Sequence, residues 1–141
     1  MQQIRILYAE DYDLVLLTVK QLLEFEGWWV DVCRDGSAAM KKLESDDHYD
    51  LIILDVQMPG ENGLTLVHRA RHLTHRRELP VIVFTGSQQH DESLAAGANA
   101  FLSKPTGLKD LIATCKSLLV PGMNNGNDID ARQISISHFS G

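Results

Sequence analysis

Only two cysteines occur in 141 residues, Cys33 and Cys115. That is too few for a disulfide framework or a cysteine-based zinc site, and both lie in apolar patterns, so they read as reduced core thiols of a cytosolic protein. Basic residues are also short, 13 Lys and Arg against 19 Asp and Glu, for a net charge of -6. A nucleic-acid surface demands clustered cations, so direct nucleic-acid contact is not expected, and the acidic excess suits metal cations better. No apolar run approaches the roughly 18 residues of a membrane span. The opening Met1-Gln2-Gln3-Ile4-Arg5 lacks the apolar block of a signal peptide, so the expectation is a cytoplasmic chain with no membrane insertion.

What the chain does have is 44% hydrophobic residues in short, regularly interrupted blocks. One domain is the natural count at roughly 150 residues per domain, with room for a real core. Ile4 to Ala9 reads as a strand ending at Glu10-Asp11, with Asp13 expected to cap a helix running to about Glu26 and stopped by Gly27. In that helix Val15, Leu16, Val19, Leu22 and Leu23 recur at helical spacing. A second strand covers Trp28 to Cys33, where at least one tryptophan is expected in the core. Asp35-Gly36-Ser37 opens a helix to about Ser45. Strand three is Leu51 to Leu54, followed by a helix from Gly63 to about Leu73. Strand four is Val81 to Phe84, and a short helix from about Asp91 to Ala96 stops at Gly97. Strand five is Ala100 to Leu102, and Leu108, Leu111, Ile112, Cys115, Leu118 and Leu119 mark the last helix. Five strands alternating with five helices imply a parallel sheet covered on both faces, with the carboxyl ends of all strands on one edge.

That edge is where the chemistry gathers. Leu51-Ile52-Ile53-Leu54 closes on Asp55, and Pro59, Gly60, Asn62 and Gly63 follow at once, so a carboxylate sits where a buried strand meets a loop. A turn-forming Asp would look the same in isolation. Strand one, however, ends in Glu10 and Asp11, strand four in Thr85 and strand five in Lys104. Three neighbouring carboxylates repel one another unless a cation intervenes, and Mg²⁺ prefers one or two carboxylates with water and phosphate oxygens. A lysine and a hydroxyl facing the metal complete a pocket for a phosphoryl group. A plain Lys104–Asp55 salt bridge is compatible with the same site when unligated.

In this order and at these strand ends, Glu10-Asp11, Asp55 with Met58-Pro59-Gly60-Glu61-Asn62-Gly63, Thr85-Gly86, Gly97-Ala98 and Lys104-Pro105 resemble the receiver domain of two-component response regulators, in its chemotaxis-type single-domain architecture. The resemblance covers about Ile4 to Val120. It implies a flavodoxin-like (βα)5 fold with strand order 2-1-3-4-5, a receiver over residues 1–120, and a polar tail or linker over 121–141. It also implies that Asp55 accepts a phosphoryl group from a histidine kinase or histidine phosphotransfer protein. Mg²⁺, or Mn²⁺, would be held by Asp11, Asp55 and the backbone carbonyl of Gln57, with Glu10 acting largely through water. Thr85 and Lys104 would bind the phosphoryl oxygens, and Lys104-Pro105 would be a cis peptide. Phe101 occupies the aromatic switch position, where the ring would turn inward once Thr85 is drawn to the phosphoryl. A plain core aromatic is the competing reading of Phe101. The switched surface would bind an unidentified downstream protein, with the chain itself a monomer or weak dimer.

The chain departs from the family pattern in places. Glu10 stands where Asp is commoner, and Phe101 lacks the hydroxyl of the commoner Tyr. Thr106 follows Pro105 in place of an aromatic and could cap the last helix. Thr85 to Gly97 spans 12 positions, about three fewer than in the family, which is close to one helical turn. His68, His72 and His75 have metal-like spacing, but no acid accompanies them. With Arg69, Arg71, Arg76 and Arg77 they read as a solvated basic face.

Two other functions compete. An aspartyl-phosphate phosphatase of the haloacid dehalogenase type also places an Asp after a strand, but it needs an acid two residues later, where this chain has Gln57. A flavodoxin-like flavin carrier shares the topology, yet Glu10-Asp11 would repel a flavin phosphate.

Overall fold

The computed structural model describes residues 3–119. The expected tail from 121 onward, including the alternating Gln133-Ile134-Ser135-Ile136-Ser137, lies outside the described residues. Strands β1 (Arg5–Ala9), β2 (Trp29–Cys33), β3 (Leu51–Leu54), β4 (Val81–Thr85) and β5 (Ala100–Ser103) alternate with helices α1 (Asp13–Phe25), α2 (Gly36–Glu44), α3 (Gly63–His72), α4 (His90–Ala96) and α5 (Leu108–Leu119). A short 3-10 turn at Thr74–Arg76 follows α3. All pairings are parallel, in the order β2-β1-β3-β4-β5.

Strand alternation divides the core in two. Leu7, Ala9, Ile52, Leu54, Val81, Val83 and Phe101 face Ala39 and Leu43 of α2 and Leu66, Val67 and Ala70 of α3. On the other face, Ile6, Tyr8, Ile53, Ile82, Phe84 and Leu102 pack against Leu16, Val19 and Leu23 of α1 and Leu111 and Cys115 of α5. β3 is buried on both faces, which is why its four residues are uniformly apolar. Trp28 packs partly buried against the second cluster. Trp29 is exposed, with the Arg5 guanidinium 4.2 Å above its ring.

Several local expectations are corrected. Asp13 does not cap α1: Tyr12 is the cap residue and gives no side-chain bond, while Asp13 begins the helix and pairs with Arg34. Thr106 does not cap α5, because the chain turns once more and Gly107, not Thr106, immediately precedes Leu108. The caps of α2 and α3 are side-chain caps, Asp35 accepting from Ala38 N–H at 2.7 Å and Asn62 from Leu64 N–H at 2.7 Å.

The basic face of α3 and the segment after it is solvated at His68, Arg69, His72, His75 and Arg77, but Arg71 and Arg76 depart from that expectation. Arg76 is buried and its guanidinium donates to the carbonyls of Leu43 (2.9 Å), Ser45 (3.0 Å) and Asp47 (2.6 Å), satisfying the orphan acceptors at the end of α2. Arg71 does the same at the end of α4, donating to Gly97 O and Leu79 O at 2.7 Å and to Asn99 Oδ1 at 2.8 Å. Burial pushes the pKa of both guanidiniums down. His72 Nδ1 lies 2.9 Å from His68 O and His75 Nε2 2.8 Å from Ser45 O, so two of the three rings engage backbone, while the His68 ring lies 4.4 Å from that of His72.

Replacing Arg76 with Met leaves those carbonyls without donors, and should lower the unfolding free energy by about 3 kcal/mol. The exposed Arg77→Met should change it by no more than about 0.5 kcal/mol. Urea denaturation of the two variants beside the parent measures both; equal midpoints would contradict the role given to Arg76.

Candidate functional site

Asp55 lies one residue past β3, held to β1 by its N–H on the Ala9 carbonyl at 3.2 Å. The loop behind it folds back tightly, Gly63 N–H donating to Val56 O at 3.0 Å. A Cβ on Gly63 would overlap the Asp55 carbonyl, so only glycine admits this return. Gly36 is required for the same reason, since a Cβ there would overlap the Glu61 carbonyl and push the loop away.

The Asp55 carboxylate is nearly buried and fully engaged. Its Oδ1 accepts the Thr85 hydroxyl at 2.6 Å and the Gln57 N–H at 3.1 Å, and its Oδ2 accepts Lys104 Nζ at 2.8 Å. Lys104 Nζ also reaches Glu10 Oε1 at 2.5 Å, while Glu10 Oε2 accepts the Tyr12 N–H at 3.2 Å. Lys104 enters this position over the Phe84 ring, 5.6 Å from its centroid, from a chain that carries a cis Lys104-Pro105 bond. Its N–H donates to the Thr85 carbonyl at 2.9 Å, tying the two neighbouring strand ends together.

Asp11 stands exposed at the rim, and Glu10, Asp11 and Asp55 each offer an oxygen within 4.8 Å of the others. Two buried carboxylates and one open to solvent make a hard-oxygen site with room for water, which fits Mg²⁺. Glu10 bonds Lys104 directly through one carboxylate oxygen. Phe101 is buried, its ring edge-on to His90 at 5.4 Å. The ring is therefore inward while the Thr85 hydroxyl already points to Asp55, the combination expected of one end of a switch and equally of a core aromatic.

Three features escaped the sequence reading. The backbone N–H groups of Tyr12 and Gln57 complete the carboxylate shell, and main-chain donors leave no trace in residue types. Ser87, whose N–H donates to Thr85 Oγ1 at 3.3 Å, sits two residues beyond the hydroxyl it supports. Tyr8 lies on the same strand face as Glu10, and its buried hydroxyl has no hydrogen-bond partner among the described residues. Burial first, then the charges of Glu10 and Asp55, push the Tyr8 phenol pKa far up, so it stays neutral. Period-two alternation backwards from Glu10 would have found it.

The electrostatics follow from burial. Desolvation alone would lower the Lys104 pKa, but its hydrogen bonds and proximity to Asp55 and Glu10 outweigh this and raise it. Glu10 is raised by desolvation despite its bond from Lys104. A carboxyl with a folded pKa above its unfolded one contributes stability below the unfolded value and loses it as pH rises through the folded value. At about pH 7 the ionised Glu10 is therefore a cost in the metal-free protein. Glu10→Gln, which keeps an acceptor for Lys104, should raise the metal-free Tm at about pH 7, and the gain should shrink towards about pH 4. Thermal unfolding in a chelator at the two pH values tests this; a lower Tm for the variant at neutral pH would contradict it.

Comparison with known proteins follows this geometry. The family model for the response regulator receiver domain matches residues 6–116. The response regulator MprA of Mycobacterium ulcerans is 34% identical over 119 residues, covering 82% of this chain and 50% of its own length. The chain thus spans about half the length of the curated relatives it matches. Among solved structures, a CheY-like receiver domain protein from Methanospirillum hungatei superposes with a TM-score of 0.79 at 30% identity, covering 89% of this chain and 100% of that one. The response regulator TrrA of Thermotoga maritima, solved in complex with Mg²⁺-BeF, gives 0.74 at 30% identity over 83% of this chain and 100% of that one.

Proposed function

The chain belongs to the response regulator receiver domain family, and on that premise we propose that Asp55 is the residue that accepts the phosphoryl group. The observation that carries this is the double engagement of its carboxylate by the Thr85 hydroxyl and the Lys104 ammonium, at 2.6 and 2.8 Å, beside the convergent oxygens of Glu10 and Asp11. An Asp55 oxygen forms the bond to phosphorus as the P–N bond of a phosphohistidine donor breaks, its electron pair leaving on the imidazole. Phosphoryl transfer asks little covalent chemistry of a protein and much alignment and charge neutralisation. Lys104 supplies one positive charge to the incoming oxygens, and Thr85 supplies a donor.

Asp11, Asp55 and the Gln57 backbone carbonyl are the groups we assign to Mg²⁺, with Glu10 divided between the metal and Lys104. The ion, when bound, neutralises phosphoryl charge. Mn²⁺ would satisfy the same oxygens. The donor is a histidine kinase or histidine phosphotransfer protein, and the chemistry is confined to the domain's own phosphorylation and dephosphorylation. A downstream protein then reads a surface that includes the Phe101 region, Thr85 and Phe101 lying on neighbouring strands. A phosphatase acting on external esters finds no support: Gln57 stands where a second acid is needed, and the relatives reported above are response regulators.

Intact mass after incubation with a small-molecule phosphodonor and Mg²⁺ should show one added phosphoryl group. The addition should vanish in Asp55→Asn and when Mg²⁺ is chelated. A parent protein that never gains mass would overturn the assignment. The Gln57 side chain is exposed at the mouth of this site, so Gln57→Ala should change the dephosphorylation rate severalfold without abolishing phosphorylation. Time courses of mass loss after removing the donor measure it, and identical decay would remove Gln57 from the account.

A further inference from the structure

The amino ends of the strands, at the sheet edge opposite Asp55, hold a second constellation that the phosphoryl chemistry does not use. Arg5 opens β1 and Trp29 opens β2, and the two are partners in the parallel register. Strand alternation puts both on the face that Leu7, Ala9 and Cys33 turn towards α2 and α3. α2 ends at Glu44 and gives way to a loop. There the sheet face opens into a cavity of about 510 Å³ lined by Gln3, Arg5, Trp29 and His48.

Arg5 is the unusual member of this group. Arg71 and Arg76 spend their guanidinium donors on helix-end carbonyls, and the exposed Arg34 and Arg69 pair with Asp13 and Glu44. Arg5 is half-buried, yet it joins no ion pair among the described residues, and its buried Nε has no hydrogen-bond partner there. The neighbouring Asp50 is already engaged, Oδ2 accepting the Arg5 backbone N–H at 2.8 Å and Oδ1 lying 2.9 Å from His48 Nε2. What holds the guanidinium is aromatic: it lies 4.2 Å from the Trp29 ring centroid and 6.0 Å from that of Tyr49. Ring contact leaves the N–H donors of a guanidinium unused, and a half-buried cation with unmet donors is costly until an acceptor reaches it.

The cavity thus supplies what a flat organic anion needs. A carboxylate matches the planar donor set of arginine. Trp29, 41% exposed, offers ring surface beside it, and His48 adds a polar edge. The volume falls within the roughly 300–1,000 Å³ of small-molecule sites. An inorganic anion would leave the indole surface unused, and a neutral ring would leave the Arg5 donors unmet. We propose that the cavity formed by Gln3, Arg5, Trp29 and His48 binds a small aromatic carboxylate, with its carboxylate on Arg5 and its ring on Trp29. This stands apart from the phosphoryl chemistry assigned to Asp55, at the other ends of the strands.

Benzoate is the probe and benzamide its neutral counterpart. Titrated into the isotope-labelled full chain, benzoate should shift the Trp29 indole N–H resonance saturably, with a dissociation constant on the order of 1 mM, ordinary for so small a ligand. That resonance is identified by its persistence in Trp28→Phe. Benzamide, without the charge, and acetate, without the ring, should each bind at least tenfold more weakly. Arg5→Met should weaken benzoate at least tenfold, and Arg5→Lys, which keeps the charge but not the planar donor set, severalfold. Dispersed spectra of the two variants show that they are folded, and the lysine variant carries the comparison if the methionine one is not. A Trp29 resonance that ignores benzoate would overturn the proposal, as would equal binding of benzamide or an affinity indifferent to both Arg5 variants. Acetate or inorganic phosphate binding as tightly as benzoate would reduce the cavity to an adventitious anion contact and equally overturn it.

Discussion

The ammonium of Lys104 between the carboxylates of Glu10 and Asp55 is the interaction on which the arrangement of this protein turns. Two carboxylates drawn into a sheet edge, with a third at the rim, would drive one another apart or take up protons. One cation delivered from the end of the far strand bonds both members of the buried pair, at 2.5 and 2.8 Å. The same cation is a placeholder for charge that arrives later. On the reading proposed above, a metal beside Asp11 and a phosphoryl group on Asp55 would both alter the balance that fixes Lys104, and Thr85, bonded to the other Asp55 oxygen, would feel the same change. The two partners of the Asp55 carboxylate thus sit at the end of β4 and just past β5, the strand that carries Phe101.

Much of this was legible from residue types, for reasons that can be named. Strands buried on both faces announce themselves as unbroken apolar runs, as Leu51–Leu54 does, and the short Gly- and Pro-marked connections restrict the topology to parallel crossovers. Once the strands are known, their ends are known, and Glu10, Asp11, Asp55, Thr85 and Lys104 fall on one edge without any knowledge of contacts. Illegible were the features that depend on where a long side chain goes. Arg71 and Arg76 looked like members of a basic surface because charge patterns on short segments do not distinguish a guanidinium in water from one buried against helix-end carbonyls. Asp13 had the right type for a cap, but Arg34 offered it a charged partner from across a loop. Backbone donors, such as the Gln57 N–H on Asp55, carry no residue signature at all.

The same contrast separates the two long helices that flank the sheet on one side. α5 places Leu111 and Cys115 in the core and keeps Lys109 and Lys116 for other contacts, which is ordinary amphipathicity. α1 does not stop at one apolar face. Its inner side holds Leu16, Val19 and Leu23 in the core, while Leu14, Leu17, Leu22 and Phe25 keep 38 to 89% of their surface exposed on the outer side.

Glu10 and Lys104 are 94 positions apart, and the strand that Lys104 directly follows, β5, pairs only with β4 among the described strands. No fragment that stops before β5 contains the anchored carboxylate pair, whatever else it has folded. In chain order the lysine follows every other residue of the site, Glu10, Asp11, Asp55 and Thr85, so the acid cluster lacks its cation until β5 is in place. The chain thus carries a form of quality control in its connectivity: competence for its chemistry is a certificate of finished folding, issued by the last strand.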